Sequence, residues 1–267
     1  MNRNPIGIFD SGIGGLSVVN KVLEEFPGEE IIYLGDAARL PYGTKSSTTV
    51  KKFAIQDTEF LLKFNPKLII IACHTVSSIA SDFLRKRFPQ IYFIDVIGPS
   101  VEEAVKITKN KRIGIIGTPA TIRSGRYKED LLKRKKNLKV FSKACPLFVP
   151  LVEEGWFNHP VTYQVVKIYL EDLKKKDIDT LILGCTHYPF LKKAIKDVMG
   201  EKINLVDPTE GVIREVKDYL SRNSAFSNLK NPSVHLYFSD FNPYFKKILT
   251  YFLKNKNYKL SQVNLEG

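Results

Sequence analysis

Short apolar runs alternate along the chain with longer stretches in which apolar residues recur every three to four positions. Continuous apolar runs predict strands that are buried on both faces, and the longer spacing predicts amphipathic helices. The predicted strands are residues 6–9, 31–34, 68–71, 91–94, 113–116, 181–183 and 203–206, and the predicted helices are residues 16–26, 47–64, 77–88, 101–108, 127–136, 163–176, 191–199 and 209–221. This alternation predicts an α/β fold with mostly parallel sheet flanked by helices.

Two segments carry similar landmarks in the same order. Residues 6–12 (IGIFDSG) resemble residues 113–119 (IGIIGTP), and residues 68–75 (LIIIACHT) resemble residues 181–187 (LILGCTH). We therefore expect two pseudo-symmetric lobes, each with its own sheet and one of the matched cysteines. The expected first lobe is residues 1–97 plus 210–267, and the expected second lobe is residues 98–209.

The last part of the chain has a different character. Residues 224–232 form a polar connector, residues 234–238 predict a further strand, and residues 241–254 predict a final helix rich in Phe and Tyr. We expect this tail to pack on the first lobe, because nothing indicates a third core.

The charge balance is strongly basic: 41 Lys and Arg face 28 Asp and Glu, a net charge of +13. Such a charge fits a nucleic-acid partner, an acidic substrate or a lysine-rich surface. The basic runs at 133–136 and 174–176 fall on predicted helices as solvated faces, and no nucleic-acid-binding motif is present. We therefore assign most of the charge to the surface, and binding of nucleic acid stays an alternative of a different class.

Three cysteines are too few for a disulfide framework, and the N-terminus lacks the apolar core of a signal peptide. The longest apolar runs fall far short of the roughly 20 residues that span a bilayer. We expect a cytoplasmic protein with reduced thiols and no membrane contact.

Two of the cysteines, Cys73 and Cys185, each follow an apolar strand and precede a helical stretch. In a parallel sheet this is the edge where ligands bind, and a nearby helix N-terminus is expected to lower a thiol pKa. Three hypotheses compete: a redox pair, a metal site that also uses His74 and His187, and two opposed acid/base thiols. The first lacks a CxxC motif and the second lacks standard zinc spacing. Cys145, before a proline, is expected to be structural.

Residues 9–16 (FDSGIGGL) follow the first strand and open a helix. They match neither a dinucleotide fingerprint nor a phosphate-binding P-loop, but glycines at a helix N-terminus favour an anion such as a carboxylate. Asp10 could orient an ammonium group or tune a thiol, or it could simply cap the helix. Residues 39–44 and 117–121 predict turns that present hydroxyls and backbone groups, and residues 150–155 add paired carboxylates.

Five segments, in this order, together resemble the glutamate racemase family: residues 9–16 (FDSGIGGL), 40–43 (LPYG), 72–75 (ACHT), 150–155 (PLVEEG) and 184–189 (GCTHYP). The wider superfamily includes aspartate and hydantoin racemases. The Cys-Thr-His form at 185–187 is more similar to the glutamate enzymes, since the aspartate relatives usually carry Cys-Thr-Glu.

The resemblance implies a cofactor-independent isomerase, with no metal, that interconverts L- and D-glutamate in a cleft between two lobes. It also implies a homodimer that supplies D-glutamate for peptidoglycan, with a racemase of aspartate or a related amino acid as the alternative. Cys73 would act on the D-enantiomer and Cys185 on the L-enantiomer, assisted by Asp10 near Cys73 and by His187 and Glu153 near Cys185. The implied substrate-binding residues are Asp10, Ser11, Pro41, Tyr42, Gly43, His74, Thr75, Thr118, Thr121, Thr186 and His187.

The sequence departs from the family pattern at one of these positions. The first cysteine is usually followed by Asn-Thr, and here it is followed by His74 and Thr75. A neutral histidine donates one hydrogen bond and accepts one, but it is larger than asparagine and can become charged.

Overall fold

Two parallel sheets organise the protein in a computed structural model that describes residues 3–241, 249–250, 252–253 and 257–265. The described strands are β1 (Ile6–Asp10), β2 (Ile31–Gly35), β3 (Leu68–Ile71), β4 (Phe93–Asp95), β5 (Arg112–Gly117), β6 (Lys139–Ala144), β7 (Thr180–Gly184), β8 (Asn204–Val206), β9 (Val234–Phe238) and β10 (Lys259–Gln262). Their order is β10-β9-β2-β1-β3-β4 in the first sheet and β6-β5-β7-β8 in the second. Every described pair is parallel, which confirms the predicted fold class.

Helices cover both sheets and follow the strands in alternation. They are α1 (Leu16–Glu25), α2 (Ser47–Leu62), α3 (His74–Arg87), α4 (Ile97–Ile107), α5 (Pro119–Ser124), α6 (Arg126–Arg134), α7 (Phe148–Glu153), α8 (Pro160–Lys174), α9 (Lys192–Met199) and α10 (Thr209–Arg222). Short 3₁₀ turns occur at Ala37–Arg39, Tyr42–Thr44 and Tyr188–Leu191. The central strands β1, β2, β3 and β7 are buried along their whole length, as their continuous apolar runs predict.

Four elements escaped the sequence pattern. Strands β6 and β10 lie at sheet edges and contain no buried residue. Strand β6 (KVFSKA) mixes polar and apolar residues and β10 (KLSQ) is mostly polar, so neither shows a long apolar run. Helices α5 and α7 have six residues each, too short for a helical period to be visible. The predicted starts of α3 and α4 were also late, since α3 begins directly after Cys73 and α4 begins at Ile97.

The tail joins the first sheet. Strand β9 pairs with β2, and β10 pairs with β9. The helix predicted at 241–254 lies largely outside the described residues. The lobe boundaries at 97/98 and 209/210 stay a prediction, although each sheet has one matched cysteine after one of its strands. Within the described ranges, no helix combines the length and apolarity needed to cross a membrane.

The topology brings the two matched strand ends to one place. Cys73 follows β3 in the first sheet, and Cys185 follows β7 in the second. Both strands lie inside their sheets, between two neighbours each. Ligands bind at the carboxyl ends of parallel strands, so the fold presents both thiols where a shared ligand can reach them.

Candidate active site

A small cavity of about 20 Å³ lies between the two sheets and contains both cysteines. A single water molecule needs roughly 10–15 Å³, so an amino acid enters only if the walls move apart. The cavity is lined by Ser11, Leu40, Pro41, Tyr42, Gly43, Cys73, His74, Thr75, Thr118, Val149, Cys185, Thr186 and His187. Both sheets contribute to these walls, so relative movement of the two halves would open the cavity.

The Cys73 thiol is enclosed by the first sheet. It is 5% exposed, and its Sγ lies 3.5 Å from the Ser11 hydroxyl, which accepts its hydrogen bond. Burial raises the pKa of Cys73 to about 12, the charge of Asp10 adds to the rise, and the Val76 amide at the start of α3 opposes it. The prediction that a helix N-terminus lowers this thiol pKa was therefore wrong for the enclosed site, because loss of hydration outweighs one amide. Cys73 is a neutral thiol, a proton donor.

The Cys185 thiol has a basic partner. Its Sγ lies 3.9 Å from Nδ1 of His187, and Nε2 of the same ring lies 3.4 Å from Oε1 of Glu153. Burial disfavours the charged form of His187, but Cys185 and Glu153 outweigh it and raise the pKa of His187 to about 10. A protonated imidazole next to a sulfur stabilises negative charge on that sulfur. Cys185 therefore has a cationic neighbour, whereas Cys73 has the neutral hydroxyl of Ser11.

Asp10 lies under the glycine loop and reaches the opposite wall. Its Oδ2 accepts hydrogen bonds of 3.2 Å from the amides of Gly12 and Gly15, and its Oδ1 accepts one of 3.4 Å from the Thr186 hydroxyl. Burial raises the pKa of Asp10, opposed by His187 and by the loop amides. Asp10 therefore organises the loop and contacts the segment after Cys185, and its charge also acts on Cys73. Its expected assistance to Cys73 stays a prediction.

Three threonine hydroxyls form a closed cluster across the cavity wall. Oγ1 of Thr75 lies 2.9 Å from that of Thr118 and 3.2 Å from that of Thr121, and the last two are 2.9 Å apart. Thr118 also caps α5 by accepting from the Thr121 amide at 3.2 Å. Hydroxyls can donate or accept after rotation, so the cluster can bind a carboxylate without a cationic side chain.

His74 is buried and stays neutral. Burial lowers the pKa of His74 to about 3. Its Nδ1 lies 2.7 Å from the hydroxyl of Tyr127, on α6, and the two rings stack with 6.2 Å between their centroids. The residue that departs from the family pattern therefore has a dedicated partner from the other half of the chain.

The loop that carries Pro41, Tyr42 and Gly43 rests on a buried carboxylate pair. The Tyr42 hydroxyl hydrogen-bonds to Asp36 and, at 3.1 Å, to Asp57. Arg39 lies 2.5 Å from Asp36 and 3.2 Å from Asp57. Burial, followed by the charge of Asp36, raises the pKa of Asp57 well above its usual range. This network holds the loop against the cavity.

The structure brings most of the sequence-predicted residues together. Asp10, Thr121 and Glu153 do not line the cavity but contact residues that do. Sequence reasoning did not predict three site residues. Leu40, inside the LPYG motif, and Val149, next to the motif at 150–155, line the cavity, and Tyr127 contacts His74. The three cysteines are free, and no cluster of His, Cys, Asp and Glu within the described ranges is arranged to hold a metal. The two thiols line one cavity, with Ser11 beside Cys73 and His187 beside Cys185, an arrangement that acid/base chemistry can use.

A family model described as Asp/Glu/Hydantoin racemase matches residues 6–216. The chain belongs to this family. Among curated members, glutamate racemase from Chlorobaculum tepidum is 47% identical over 265 residues, covering 99% of this chain and 96% of that protein. Glutamate racemase from a Sulfurihydrogenibium species is 51% identical and covers 80% of this chain and 82% of that protein.

Solved structures show the same fold to different extents. Glutamate racemase from Francisella tularensis, crystallised with D-glutamate, has a TM-score of 0.94 and 39% identity, covering 100% of this chain and 99% of that chain. An aspartate racemase homologue from Pyrococcus horikoshii has a TM-score of 0.56 and 20% identity, covering 82% of this chain and 99% of that chain. That second likeness shows the fold alone.

Proposed function

We propose that this chain is a glutamate racemase that interconverts L- and D-glutamate by moving the Cα proton between two thiols, Cys73 and Cys185. The observation that carries the proposal is that both thiols line one cavity and have different neighbours. Cys73 is held as a neutral donor, and Cys185 lies beside a protonated histidine. Close full-length likeness to glutamate racemases supports glutamate as the substrate.

The reaction in the L-to-D direction follows from this asymmetry. The Cys185 thiolate removes the Cα proton of L-glutamate, and the electron pair of the broken C–H bond stays on the substrate. The Cys73 thiol delivers its proton to the opposite face of Cα. The product is D-glutamate, with a thiol at Cys185 and a thiolate at Cys73. The reverse reaction restores the starting state, as does proton exchange with water.

Loss of the Cα proton leaves a carbanion, whose negative charge the site must stabilise. Charge that develops toward the α-carboxylate is best met by oriented donors in a water-excluded site. The hydroxyls of Thr75, Thr118 and Thr121 and the backbone amides at the start of α3 are the candidates, so the carboxylate is met by neutral groups. His187 and Glu153 set the charge near Cys185, and Asp10 fixes Thr186 and the glycine loop.

The remaining expectations belong to the same proposal. We propose a cytoplasmic homodimer that supplies D-glutamate for peptidoglycan, with lobes at 1–97 plus 210–267 and at 98–209. We also propose that Ser11, Pro41, Tyr42, Gly43, His74, Thr75, Thr118, Thr121, Thr186 and His187 bind the substrate, with Asp10 shaping the loop beside it. Sedimentation velocity checks the oligomeric state: a single species at monomer mass over a wide concentration range would contradict the dimer.

Proton abstraction is tested directly by incubation with each glutamate enantiomer in heavy water. Proton NMR should show loss of the Cα–H signal at a rate comparable to racemisation, measured by circular dichroism. Initial rates with aspartate should be far lower. If aspartate exchanges faster than glutamate, the substrate assignment fails.

The thiols are tested by serine variants. Cys73→Ser and Cys185→Ser should each lose racemisation by at least about 10²-fold, because a hydroxyl is a much poorer acid/base group at neutral pH. Cys145→Ser is the matched control: Cys145 is also buried and free, but it does not line the cavity. Full activity in both active-site variants would exclude the two-thiol mechanism.

A further inference from the structure

His74 is anchored from behind by residues of the other half of the chain. Its Nδ1 lies 2.7 Å from the hydroxyl of Tyr127, which lies 3.3 Å from the hydroxyl of Ser100. Ser100 donates in turn to the backbone carbonyl of Val96 at 2.6 Å. The three side chains are buried, with His74 and Tyr127 each 2% exposed and Ser100 fully enclosed.

The number of protons in this chain of contacts assigns the histidine tautomer. The single proton of Ser100 is used on Val96, so Ser100 can only accept from Tyr127. If the Tyr127 proton goes to Ser100, Nδ1 of His74 must donate to the Tyr127 oxygen. Each of the three contacts then holds one proton. If the Tyr127 hydroxyl instead donated its proton to Nδ1 of His74, no proton would remain for the contact between the Tyr127 and Ser100 oxygens, and two lone pairs would face each other.

The remaining ring nitrogen is left for the cavity. His74 lines the cavity that contains the two thiols, whereas Tyr127 does not. Tyr127 lines a separate cavity of about 240 Å³. With Nδ1 engaged away from the thiols, Nε2 is the polar atom that His74 can offer to a ligand.

We propose that Tyr127 is a positioning residue: it fixes neutral His74 with its proton on Nδ1, so that Nε2 accepts a hydrogen bond from the α-ammonium group of glutamate. The identity of the ligand rests on the proposed function above. An unprotonated Nε2 can only accept a hydrogen bond, and the ammonium group is the donor that glutamate carries at neutral pH, since its two ionised carboxylates only accept. The low pKa of His74, caused by burial, keeps that lone pair available across the physiological range.

The first test reads the tautomer in the ligand-free protein, without reference to activity. In protein labelled with ¹⁵N-histidine, His74 should show a protonated Nδ1 and an unprotonated Nε2, assigned by comparison with His74→Asn. A proton on Nε2 in the wild-type protein would overturn the proposal. In Tyr127→Phe the Nδ1 proton loses its acceptor, and the signals should shift toward the other tautomer.

The second test is kinetic. Tyr127→Phe should raise KM about tenfold for both enantiomers, with a smaller change in kcat, because the lost contact orients a group that binds the ground state and transition state alike. Tyr219→Phe is the matched control: its hydroxyl also donates one hydrogen bond, 2.8 Å to the Lys67 carbonyl, away from the cavity. Unchanged KM and tautomer in Tyr127→Phe would overturn the proposal.

A double-mutant cycle separates positioning from general support of the fold. If Tyr127 acts through His74, Tyr127→Phe should change KM by less than about twofold in the His74→Asn background. A tenfold rise in KM in that background would show that Tyr127 does not act through His74 and would overturn the proposal. Ser100→Ala provides an independent variant at the far end and should shift the same ¹⁵N signals. Failure of wild-type protein to exchange Cα–H of glutamate would instead refute the proposed function and leave the tautomer result standing.

Discussion

Gly14 of the glycine loop packs directly against Thr186, the residue after the second thiol. A Cβ built on Gly14 would stand 2.7 Å from Cβ of Thr186 and 3.1 Å from Nδ1 of His187. Real Cβ atoms do not approach that closely, so this contact between the two halves of the site requires the absence of a side chain. Gly43 makes the corresponding contact with Thr118 on the other side of the cavity.

Gly14→Ala should therefore push the segment that carries Cys185 away from the glycine loop. We expect a loss of kcat/KM of about 10²-fold, because a misplacement near 1 Å of a reacting group has that effect. The free energy of unfolding should change little, since few core contacts are lost. Gly98→Ala is the matched control, because the nearest atom to its Cβ would be 3.7 Å away. Equal activity in the two variants would show that the contact does not set the geometry.

His187→Gln should slow proton transfer at Cys185 by about 10²-fold. The two enantiomers have equal free energy, so kcat/KM must fall equally in both directions. The difference between the two thiols should instead appear in the primary deuterium isotope effects measured with each enantiomer. The primary deuterium effect on kcat/KM with α-deuterated L-glutamate should rise, because abstraction by Cys185 becomes more rate-limiting. His159→Gln, an exposed histidine, serves as control. A rise confined to deuterated D-glutamate would reverse the assignment of the thiols.

The sequence predicts the central strands of each sheet better than the strands at the sheet edges. Buried strands such as β3 are continuous apolar runs, so their positions are visible without a structure. Edge strands are not: β6 has no fully buried residue, and its pairing with β5 is set by the rest of the sheet. The same holds for short helices such as α5, whose cap at Thr118 is visible only in retrospect.

The site divides in the same way. The thiols, the glycine loop and His187 stand in local motifs, so the sequence identifies them. Tyr127 follows no motif, and its role depends on α6 lying behind α3, a tertiary contact without a local signal. The pKa of Cys73 was also out of reach, because it depends on enclosure by residues distant in the chain.

His74 should make the protein sensitive to acid. Folded His74 stays neutral down to a pKa of about 3, whereas unfolded histidine takes up a proton below about pH 6.5. The unfolded state then binds more protons, so this contribution to stability is present above pH 6.5 and is lost as the pH falls toward 3. The loss is roughly 3 kcal/mol at pH 4.

Urea unfolding of wild type and His74→Asn between pH 4 and 7 measures this contribution. The free energy of unfolding of the variant should fall less steeply with decreasing pH, whatever its value at pH 7. Other titrating groups cancel in the difference between the two proteins. Tyr219→Phe is the control and should keep the wild-type slope, because it removes a hydroxyl group and no histidine. Parallel curves for wild type and His74→Asn would contradict the lowered pKa.

A buried ion pair ties the connector after α10 to the first sheet. Nζ of Lys67, at the start of β3, lies 2.8 Å from Oε2 of Glu29 and 2.8 Å from the carbonyl oxygen of Ala225. Oε1 of Glu29 accepts from the amide of Ser227 at 2.8 Å. The side chains of Lys67 and Glu29 are 0% and 1% exposed. The chain segment that leads to β9 is therefore fixed by charge-assisted hydrogen bonds rather than by apolar packing alone.

Lys67→Met should lower the free energy of unfolding by about 3–5 kcal/mol, because it leaves the Glu29 carboxylate buried without its cation. Lys67→Met combined with Glu29→Leu should recover part of the loss, since no uncompensated charge remains. Lys21→Met removes a lysine from partly exposed pairs with Glu24 and Glu25 and should change stability far less than Lys67→Met, because solvent screens exposed ion pairs. Urea unfolding at pH 7 measures all three variants. If the double variant is less stable than Lys67→Met, the loss comes from the lost hydrogen bonds to Ala225 and Ser227 rather than from the unpaired charge.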